Sequence, residues 1–175
     1  RCDLRAFNKD DSECQKPIIL ELGGGKASFG SMLHYFWKEE SKFVIIDISS
    51  NFRHKEDNRL ENVNNVNRIE CGLQHCDISK VASLTQDDNR KLFVISKHLC
   101  GAATDFGLRC VLNPQNEHIV KRIQIIAIAL CCRGKCSCDT YCNVAYLKSL
   151  DGLQDLSRKQ FDSIRQMATW EIDAD

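Results

Sequence analysis

Short apolar runs alternate with helical patterns along most of this chain. Five short runs, most of them rich in Ile, Val, Leu or Phe, have the length and composition of buried strands. They cover residues 18–21, 43–47, 73–76, 92–96 and 123–130. Because helical patterns lie between them, we expect a mostly parallel sheet with helices on both faces. The predicted fold class is therefore α/β, of the Rossmann-like, doubly wound kind.

Apolar residues at helical spacing predict the helices. After the first strand, one apolar stripe contains Phe29, Met32, Leu33, Phe36 and Trp37. The spacing of these residues (i, i+3, i+4, i+7, i+8) predicts a helix that packs its stripe against the sheet. Residues 102–112 predict a shorter helix, and residues 161–167 predict a C-terminal helix with Ser157 as its N-cap. The charged, Asn-rich segment 58–67 predicts a surface connection.

The junction after the first strand carries the most informative motif. It consists of Glu21, Leu22, Gly23, Gly24 and Gly25, followed by Lys26. A glycine turn allows the backbone to approach a ligand closely. The second strand ends on Asp47, followed by Ile48, and the Asp47 carboxylate can accept hydrogen bonds from a ribose diol. Since parallel strands end at the same edge of a sheet, the two features predict a nucleoside cofactor site, whereas a plain tight turn would leave Asp47 unexplained.

Two kinds of cofactor suit this layout. A dinucleotide site has the pattern GxGxxG, but this chain has Ser28 at the position of the third glycine. The pyrophosphate of a dinucleotide lies at the helix N-terminus, where the nearby Glu21 carboxylate would repel it. S-adenosylmethionine carries no phosphate, and its ammonium and sulfonium groups would be attracted by that carboxylate. We therefore favour S-adenosylmethionine over NAD as the cofactor.

The composition limits the classes of protein and partner. The chain has 175 residues, enough for a single domain with a core, and its first residue is Arg1, which suggests a piece of a longer protein. Lys+Arg and Asp+Glu are equal at 24 each, so nucleic-acid binding would need a local basic patch. No apolar run is long enough to span a membrane. We expect a monomer without membrane or DNA partners.

Eleven cysteines are a high count for this length. Several lie in or beside apolar strands, where a free cysteine behaves as a small apolar residue. A domain of this size does not need disulfides, so we expect a reducing compartment, the cytoplasm or the nucleus. Four cysteines near the C-terminal end of the last strand could hold zinc, namely Cys132, Cys136, Cys138 and Cys142. Because their spacing lacks paired CxxC units, we favour packing and a substrate-contacting loop, and we assign no metal ligands.

Polar residues also follow the third and fourth predicted strands. Asp77 could meet the adenine amino group while Ile78 packs on the ring, or Asp77 could simply cap a turn. Lys97 and His98 follow the fourth strand and precede Gly101, at the position that faces a substrate. Imidazole can take up a proton near neutral pH, and a lysine can serve as a base or stabilise negative charge.

Four segments of the chain resemble one enzyme family. They are residues 21–26 (ELGGGK), residues 46–55 (IDISSNFRHK), residues 97–105 (KHLCGAATD) with residues 108–110 (LRC), and residues 128–132 (IALCC) with Cys136 and residues 141–143 (YCN). This pattern is similar to that of the eukaryotic tRNA 2′-O-methyltransferases that modify the fourth nucleotide of the acceptor stem, the TRM13 type. The similarity extends from about Ile18 to Trp170.

The resemblance implies a class I S-adenosylmethionine-dependent methyltransferase acting on tRNA. It implies cofactor contacts from the glycine motif, Asp47, Ile48, Asp77, Ile78 and Lys97. It implies that Lys97 or His98 acts as the base or orients the substrate, with Asp105 and Arg109 positioning Lys97 or a phosphate. Contacts to the cofactor or RNA are expected from Arg53 and Lys55, although an exposed salt-bridge surface explains these two equally well. Arg133 and Lys135 add positive charge where an RNA backbone could pass.

The chain also departs from the family pattern. Arg133 and Gly134 occupy the place of two histidines that usually follow the double cysteine. We expect the family's N-terminal zinc-finger region and its C-terminal hairpin to be absent. Three alternatives remain at this stage: a methyltransferase acting on protein or a small molecule, a non-catalytic RNA- or zinc-binding module, and an NAD-linked oxidoreductase.

Overall fold

A five-stranded parallel sheet forms the centre of the molecule. The computed structural model describes residues 16–37, 41–49, 65–86, 89–130, 132 and 135–170. The strands are β1 (Ile18–Leu22), β2 (Lys42–Asp47), β3 (Val66–Glu70), β4 (Leu92–Lys97) and β5 (Ile123–Ala129). Their order across the sheet is β3-β2-β1-β4-β5, and every neighbouring pair is parallel. This is the strand order of a doubly wound, Rossmann-like sheet, so the predicted fold class is confirmed.

Helices connect the strands and complete the C-terminal part of the described chain. They are α1 (Ser28–Trp37), α2 (Ala82–Thr85), α3 (Ala102–Val111), α4 (Glu117–Val120), α5 (Val144–Lys148) and α6 (Arg158–Trp170). Ser157 accepts a hydrogen bond from the Gln160 amide (3.3 Å), and the Gln160 side chain accepts one from the Ser157 amide (2.9 Å). This reciprocal capping box confirms Ser157 as the N-cap of α6. Among the described residues, no helix has the length and apolar character needed to cross a membrane.

The third strand lies elsewhere than the apolar pattern suggested. The prediction of a strand at residues 73–76 is wrong, because most of that segment forms a turn and the strand is Val66–Glu70. β3 is an edge strand with partly exposed polar residues, so its composition does not show a buried run. The predicted surface connection at 58–67 is also wrong for residues 66 and 67, which begin β3, while residues 58–64 lie outside the described part of the chain. The bounds predicted for the other four strands differ from the observed ones by a residue at most.

The core occupies both faces of the sheet. On one face, Leu20, Val94 and their neighbours pack with Cys110 and Val111 of α3. On the other face, a smaller cluster of β-strand residues packs with Phe29 and Leu33 of α1. These two residues confirm part of the predicted α1 stripe, but Met32 is 49% exposed, and the side chains of Phe36 and Trp37 lie outside the description. Both central strands of the predicted site, β1 and β2, are therefore held rigidly by burial on two sides.

β1 and β4 meet where the strand order reverses direction. The last paired residues of the two strands are Glu21 and Ile95. One position further on, the buried Ser96 hydroxyl donates a hydrogen bond to the Leu22 carbonyl at 2.7 Å. In open α/β sheets, ligands bind in the crevice outside the carboxyl ends of the strands at such a reversal. A functional site is therefore expected at the loops that follow β1 and β4.

Candidate functional site

The glycine loop after β1 lies against the end of β2. The Gly23 amide donates to the Ile46 carbonyl at 2.8 Å, which continues the β1–β2 pairing into the loop. Gly23 and Gly25 have positive φ angles of +61° and +49°, a region that favours glycine. Apart from its two chain neighbours, no described residue has an atom within 4 Å of the position where a Cβ at Gly25 would stand. The loop therefore has an open surface at Gly25 where a ligand can approach the backbone, and Lys26 beside it is exposed.

Glu21 lies beneath this loop and holds the start of α1. Its Oε2 accepts a hydrogen bond from the Gly30 amide at 2.9 Å, and the residue is only 3% exposed. A methyl group at Gly30 would lie 2.5 Å from that oxygen, and one at Gly24 would overlap Ile45. A carboxylate at a helix N-terminus satisfies a free amide and complements the helix dipole. Glu21 thus fixes the geometry of the loop from below, and its predicted contact with a cofactor stays a prediction.

Asp47 joins the glycine loop to the turn that follows β2. Its Oδ2 accepts from the Gly25 amide and its Oδ1 from the Ser49 amide, both at 2.9 Å. A carboxylate has about four acceptor positions, so Asp47 retains capacity for the hydroxyls of a ribose. Ile48, the next residue, is exposed beside it. The structure therefore brings together the two features that the sequence analysis paired, the glycine motif and the acid at the tip of the neighbouring strand.

Arg68 of β3 completes this group, although the sequence analysis did not identify it. Its Nη2 donates to the Gly25 carbonyl at 2.6 Å, and its Nε donates to the Ser49 carbonyl at 3.0 Å. Nη2 also lies 3.9 Å from Asp47 Oδ1, and the Arg68 side chain is 2% exposed. The one signal for this residue in the sequence was a basic residue between the strand-forming Val66 and Ile69.

Asp77 caps a turn beside β3. Its Oδ1 accepts from the Ser79 amide at 3.1 Å and from the Ser79 hydroxyl at 2.6 Å, and these bonds, with Lys80 nearby, lower the pKa of the Asp77 carboxyl. The turn-capping role is thus observed, while the adenine contact stays a prediction. Ile78 is fully buried in the core. A cleft of about 430 Å³ opens here, and its lining includes Glu70, His75 and Asp77.

Lys97 and His98 lie at the carboxyl end of β4, next to β1 in the sheet. Lys97 is the last residue of the strand and is exposed, and His98 follows it with an exposed side chain. His98 has a positive φ of +68°, and its amide donates to the Ala129 carbonyl at 3.2 Å. A non-glycine residue in this region costs roughly 1–3 kcal/mol, and such residues concentrate at functional sites. The strained backbone at His98 therefore supports the position assigned to the pair.

Asp105 and Arg109 of α3 face the loop that follows β5. Arg109 Nη2 donates to the Cys142 carbonyl at 3.3 Å. Burial, together with the neighbouring Asp105 carboxylate, raises the pKa of the Cys142 thiol. Both α3 residues therefore lie against the cysteine-rich segment, and their predicted action on Lys97 or a phosphate stays a prediction. Gly101, at the start of α3, lies directly under the same loop, because a methyl group there would be 2.6 Å from the Lys135 carbonyl carbon.

The remaining predicted residues are only partly described. Arg53, Lys55 and Arg133 lie outside the described part of the chain, while Lys135 is exposed. The zinc alternative involved Cys132, Cys136, Cys138 and Cys142, which form no disulfide with any other described residue. Within the described ranges, no group of three or more His, Cys, Asp or Glu residues is arranged to hold a metal ion.

The residues at this edge of the sheet fit a nucleoside cofactor. The open backbone at Gly25 can approach a ligand, and Asp47 can accept hydrogen bonds from a ribose. Two carboxylates, from Glu21 and Asp47, lie at or just below the loop. The Asp47 carboxylate suits the hydroxyl groups of a ribose, while the Arg68 guanidinium beside it offsets its charge.

Comparisons with known proteins find a methyltransferase family. The family model described as "Methyltransferase TRM13" matches residues 4–175. A tRNA:m(4)X modification enzyme TRM13 homolog from Dictyostelium discoideum is 32% identical over 161 residues, covering 87% of this chain and 30% of that protein. The tRNA:m(4)X modification enzyme TRM13 of Schizosaccharomyces pombe is 28% identical over 168 residues, covering 91% of this chain and 43% of that protein. The chain thus spans less than half the length of these curated relatives.

One solved structure is also similar. The crystal structure of an rRNA methylase from Streptococcus thermophilus superimposes with a TM-score of 0.42 at 14% sequence identity, covering 79% of this chain and 74% of that one.

Proposed function

We propose that this chain, which belongs to the Methyltransferase TRM13 family, transfers a methyl group from S-adenosylmethionine to a ribose 2′-hydroxyl of tRNA. Its relatives in Dictyostelium discoideum and Schizosaccharomyces pombe are named as tRNA modification enzymes. The observation that carries the proposal is the hydrogen bond from the Gly25 amide to the Asp47 carboxylate. It joins an open glycine loop to a ribose-accepting acid beside the reversal of strand order.

The carboxylates of Asp47 and Glu21 at the loop support S-adenosylmethionine in particular. When bound, this cofactor supplies an electrophilic methyl group on a positively charged sulfur. Asp47 would accept hydrogen bonds from its ribose hydroxyls, and the open backbone at Gly25 would lie against the nucleoside. Glu21 would act from below, through the position of the loop and its negative charge. Ser28 at the third position of the dinucleotide pattern favours the same choice.

Lys97 and His98 would assist the attacking hydroxyl. They follow β4, which is the neighbour of β1 across the crevice. One of them would accept the proton of the ribose hydroxyl as that oxygen takes up the methyl group that the bound cofactor would supply. Holding the reacting atoms in line contributes at best about 7–11 kcal/mol, and a base contributes about 10²–10⁴-fold. Alignment of the reacting atoms would therefore lower the activation free energy more than the base does.

Local positive charge supports an RNA substrate. The chain has no net charge, so contacts to the phosphate backbone would come from a few residues. Arg109 and Lys135 are exposed on the elements that follow β4 and β5. We assign backbone contacts to these two residues and, from their positions in the sequence, to Arg53, Lys55 and Arg133. RNA bound by these residues would lie over the carboxyl edge of the sheet.

A two-step experiment tests this proposal. Calorimetric titration with S-adenosylhomocysteine and with NAD is expected to show binding of the first only. Methyl transfer from labelled S-adenosylmethionine is then measured with bulk tRNA and with protein extract, and nuclease digestion of the tRNA identifies the methylated nucleoside. We expect a 2′-O-methylated product that decreases at least about 100-fold in the Lys97→Ala or the His98→Ala variant. Preferential binding of NAD would refute the cofactor assignment, and undiminished activity of both variants would refute the assigned base.

A further inference from the structure

We propose that Arg68 is a positioning residue for nucleoside binding, which holds the glycine loop and the Asp47 turn in one fixed arrangement. The inference rests on the proposed function and adds to it a residue that neither the motif nor the comparisons point to. Arg68 lies on β3, two strands away from the glycine loop of β1. Its role would be exerted through Asp47 and the backbone rather than by contact with the reacting atoms.

Three contacts of one guanidinium carry this inference. Nη2 donates to the Gly25 carbonyl at 2.6 Å, and Nε donates to the Ser49 carbonyl at 3.0 Å. Nη2 also lies 3.9 Å from Asp47 Oδ1. The amides of Gly25 and Ser49 in turn donate to the two oxygens of Asp47 at 2.9 Å. Arg68 and Asp47 therefore contact the same two residues, one through their carbonyls and the other through their amides.

The burial of Arg68 shows that these contacts are structural requirements of the loop pair. Its side chain is 2% exposed, and an arginine is almost never buried to this degree without charge and hydrogen-bond partners. A planar guanidinium presents its donors in a rigid fork, whereas a lysine ammonium is a compact point charge. A lysine at this position would keep the positive charge near Asp47 but would not reach both carbonyls in the same way.

Pairing across the sheet explains why β3 supplies this residue. Arg68 is the register partner of Ile45 in β2, and Asp47 is the partner of Glu70. The Arg68 side chain therefore starts two residues before the end of β2 and extends along the strand direction to the loops beyond it. Two loops that both contact a nucleoside are thereby tied to the rigid edge of the sheet. A site held in this way binds its ligand without a large ordering cost.

The experiment combines two substitutions in the 175-residue chain. S-adenosylhomocysteine affinity is measured by calorimetry for wild type, Arg68→Met, Asp47→Asn and the double variant. We expect Arg68→Met to weaken binding by about 10- to 100-fold, the range for a lost hydrogen-bonding contact to a charged group. Because Arg68 acts through Asp47, the affinity of the double variant should be only slightly lower than that of whichever single variant binds S-adenosylhomocysteine less tightly. Fully additive losses would overturn the inference.

Arg122→Met is the matched control. Arg122 also donates to backbone carbonyls, those of Arg90 (3.0 Å) and of Leu84 in α2, but it directly precedes β5, at the amino-terminal edge of the sheet and away from the glycine loop. We expect this variant to lower the denaturation midpoint while leaving S-adenosylhomocysteine affinity within about twofold of wild type. Equal losses of affinity in the two arginine variants would show general destabilisation and overturn the inference.

Arg68→Lys keeps the test decisive if Arg68→Met fails to fold. The lysine variant retains the charge and loses the fork, so we expect a loss of affinity about tenfold in size with a folded circular-dichroism spectrum. If a folded Arg68→Lys or Arg68→Met variant binds S-adenosylhomocysteine as tightly as wild type, this inference is overturned while the proposed function is unaffected. Absence of S-adenosylhomocysteine binding by the wild-type chain would instead overturn the proposed function and this inference with it.

Discussion

Replacing Gly101 by alanine tests whether the loops that follow β4 and β5 depend on each other. Gly101 combines a φ of +61° with a ψ of −137°, a backbone conformation that is essentially restricted to glycine. A methyl group there would lie 2.6 Å from the carbonyl carbon of Lys135 and closer still to its oxygen. Both partners are backbone atoms, so the overlap cannot be relieved by rotating a side chain. The loop after β5 would have to move away from the start of α3.

The expected cost has two parts. The strained backbone accounts for roughly 1–3 kcal/mol, and forced overlap in a packed region typically adds about 1–3 kcal/mol. We therefore expect Gly101→Ala to lower the free energy of unfolding by about 2–6 kcal/mol. That is a large share of the roughly 5–15 kcal/mol by which small domains are stable.

Gly152→Ala provides the control, because Gly152 has a φ of +81° but, its chain neighbours aside, no atom of the described part of the chain lies within 4 Å of the added methyl group. It should lose only the strain contribution, about 1–2 kcal/mol. The assay is urea denaturation of both variants, followed by far-ultraviolet circular dichroism. Equal losses in the two variants would refute the close approach of the two loops. Since His98 lies three residues before Gly101, we also expect methyl transfer to fall in Gly101→Ala and to persist in Gly152→Ala.

Three further predictions concern the loop and the thiols. Glu21→Ala leaves the buried Gly30 amide without its acceptor and should lower the unfolding free energy by about 1–3 kcal/mol in thermal denaturation; a change below about 0.5 kcal/mol would contradict the capping role. Gly25→Ala places a methyl group in the open space at the loop and adds strain, so S-adenosylhomocysteine affinity should fall by about tenfold, and an unchanged affinity would show that the nucleoside lies elsewhere. A hydrogen bond with Cys110, together with burial, raises the pKa of the Cys76 thiol from its ordinary 9.0. Folding therefore favours the neutral thiol, and its contribution to the free energy of unfolding is complete below pH 9.0. Above pH 9.0 this contribution decreases by up to about 1.4 kcal/mol per pH unit. In Cys76→Ala, the free energy of unfolding should therefore decrease less steeply in denaturation curves recorded from about pH 8 to about pH 11.

The buried strands could be predicted from the sequence, whereas the edge strand could not. β1, β2 and β4 are covered on both faces, so their sequences are almost continuous apolar runs. β3 is an edge strand with Asn67, Arg68 and Glu70, and tertiary pairing with β2 outweighs its weak strand composition. An apolar run indicates a strand that is buried on both faces, and such a run is missing where a strand is only half buried.

The candidate site shows the same division. The glycine loop and Asp47 could be paired in advance because parallel strands place their carboxyl ends together. Arg68 could not be found in this way, because its contact with Gly25 depends on the register of β3, which the sequence did not reveal. The direction of the Glu21 side chain could not be predicted from the sequence either. Only the structure shows that it points to the Gly30 amide beneath the loop.

Strands β1 and β4 cannot spread apart at their tips without breaking the hydrogen bond from the Ser96 hydroxyl to the Leu22 carbonyl. Breaking a buried bond of this kind costs about 1–3 kcal/mol, in addition to the backbone pairing of the two strands. The tips of β1 and β4 are therefore held at a nearly fixed separation, and any movement that admits a ligand would involve the loops.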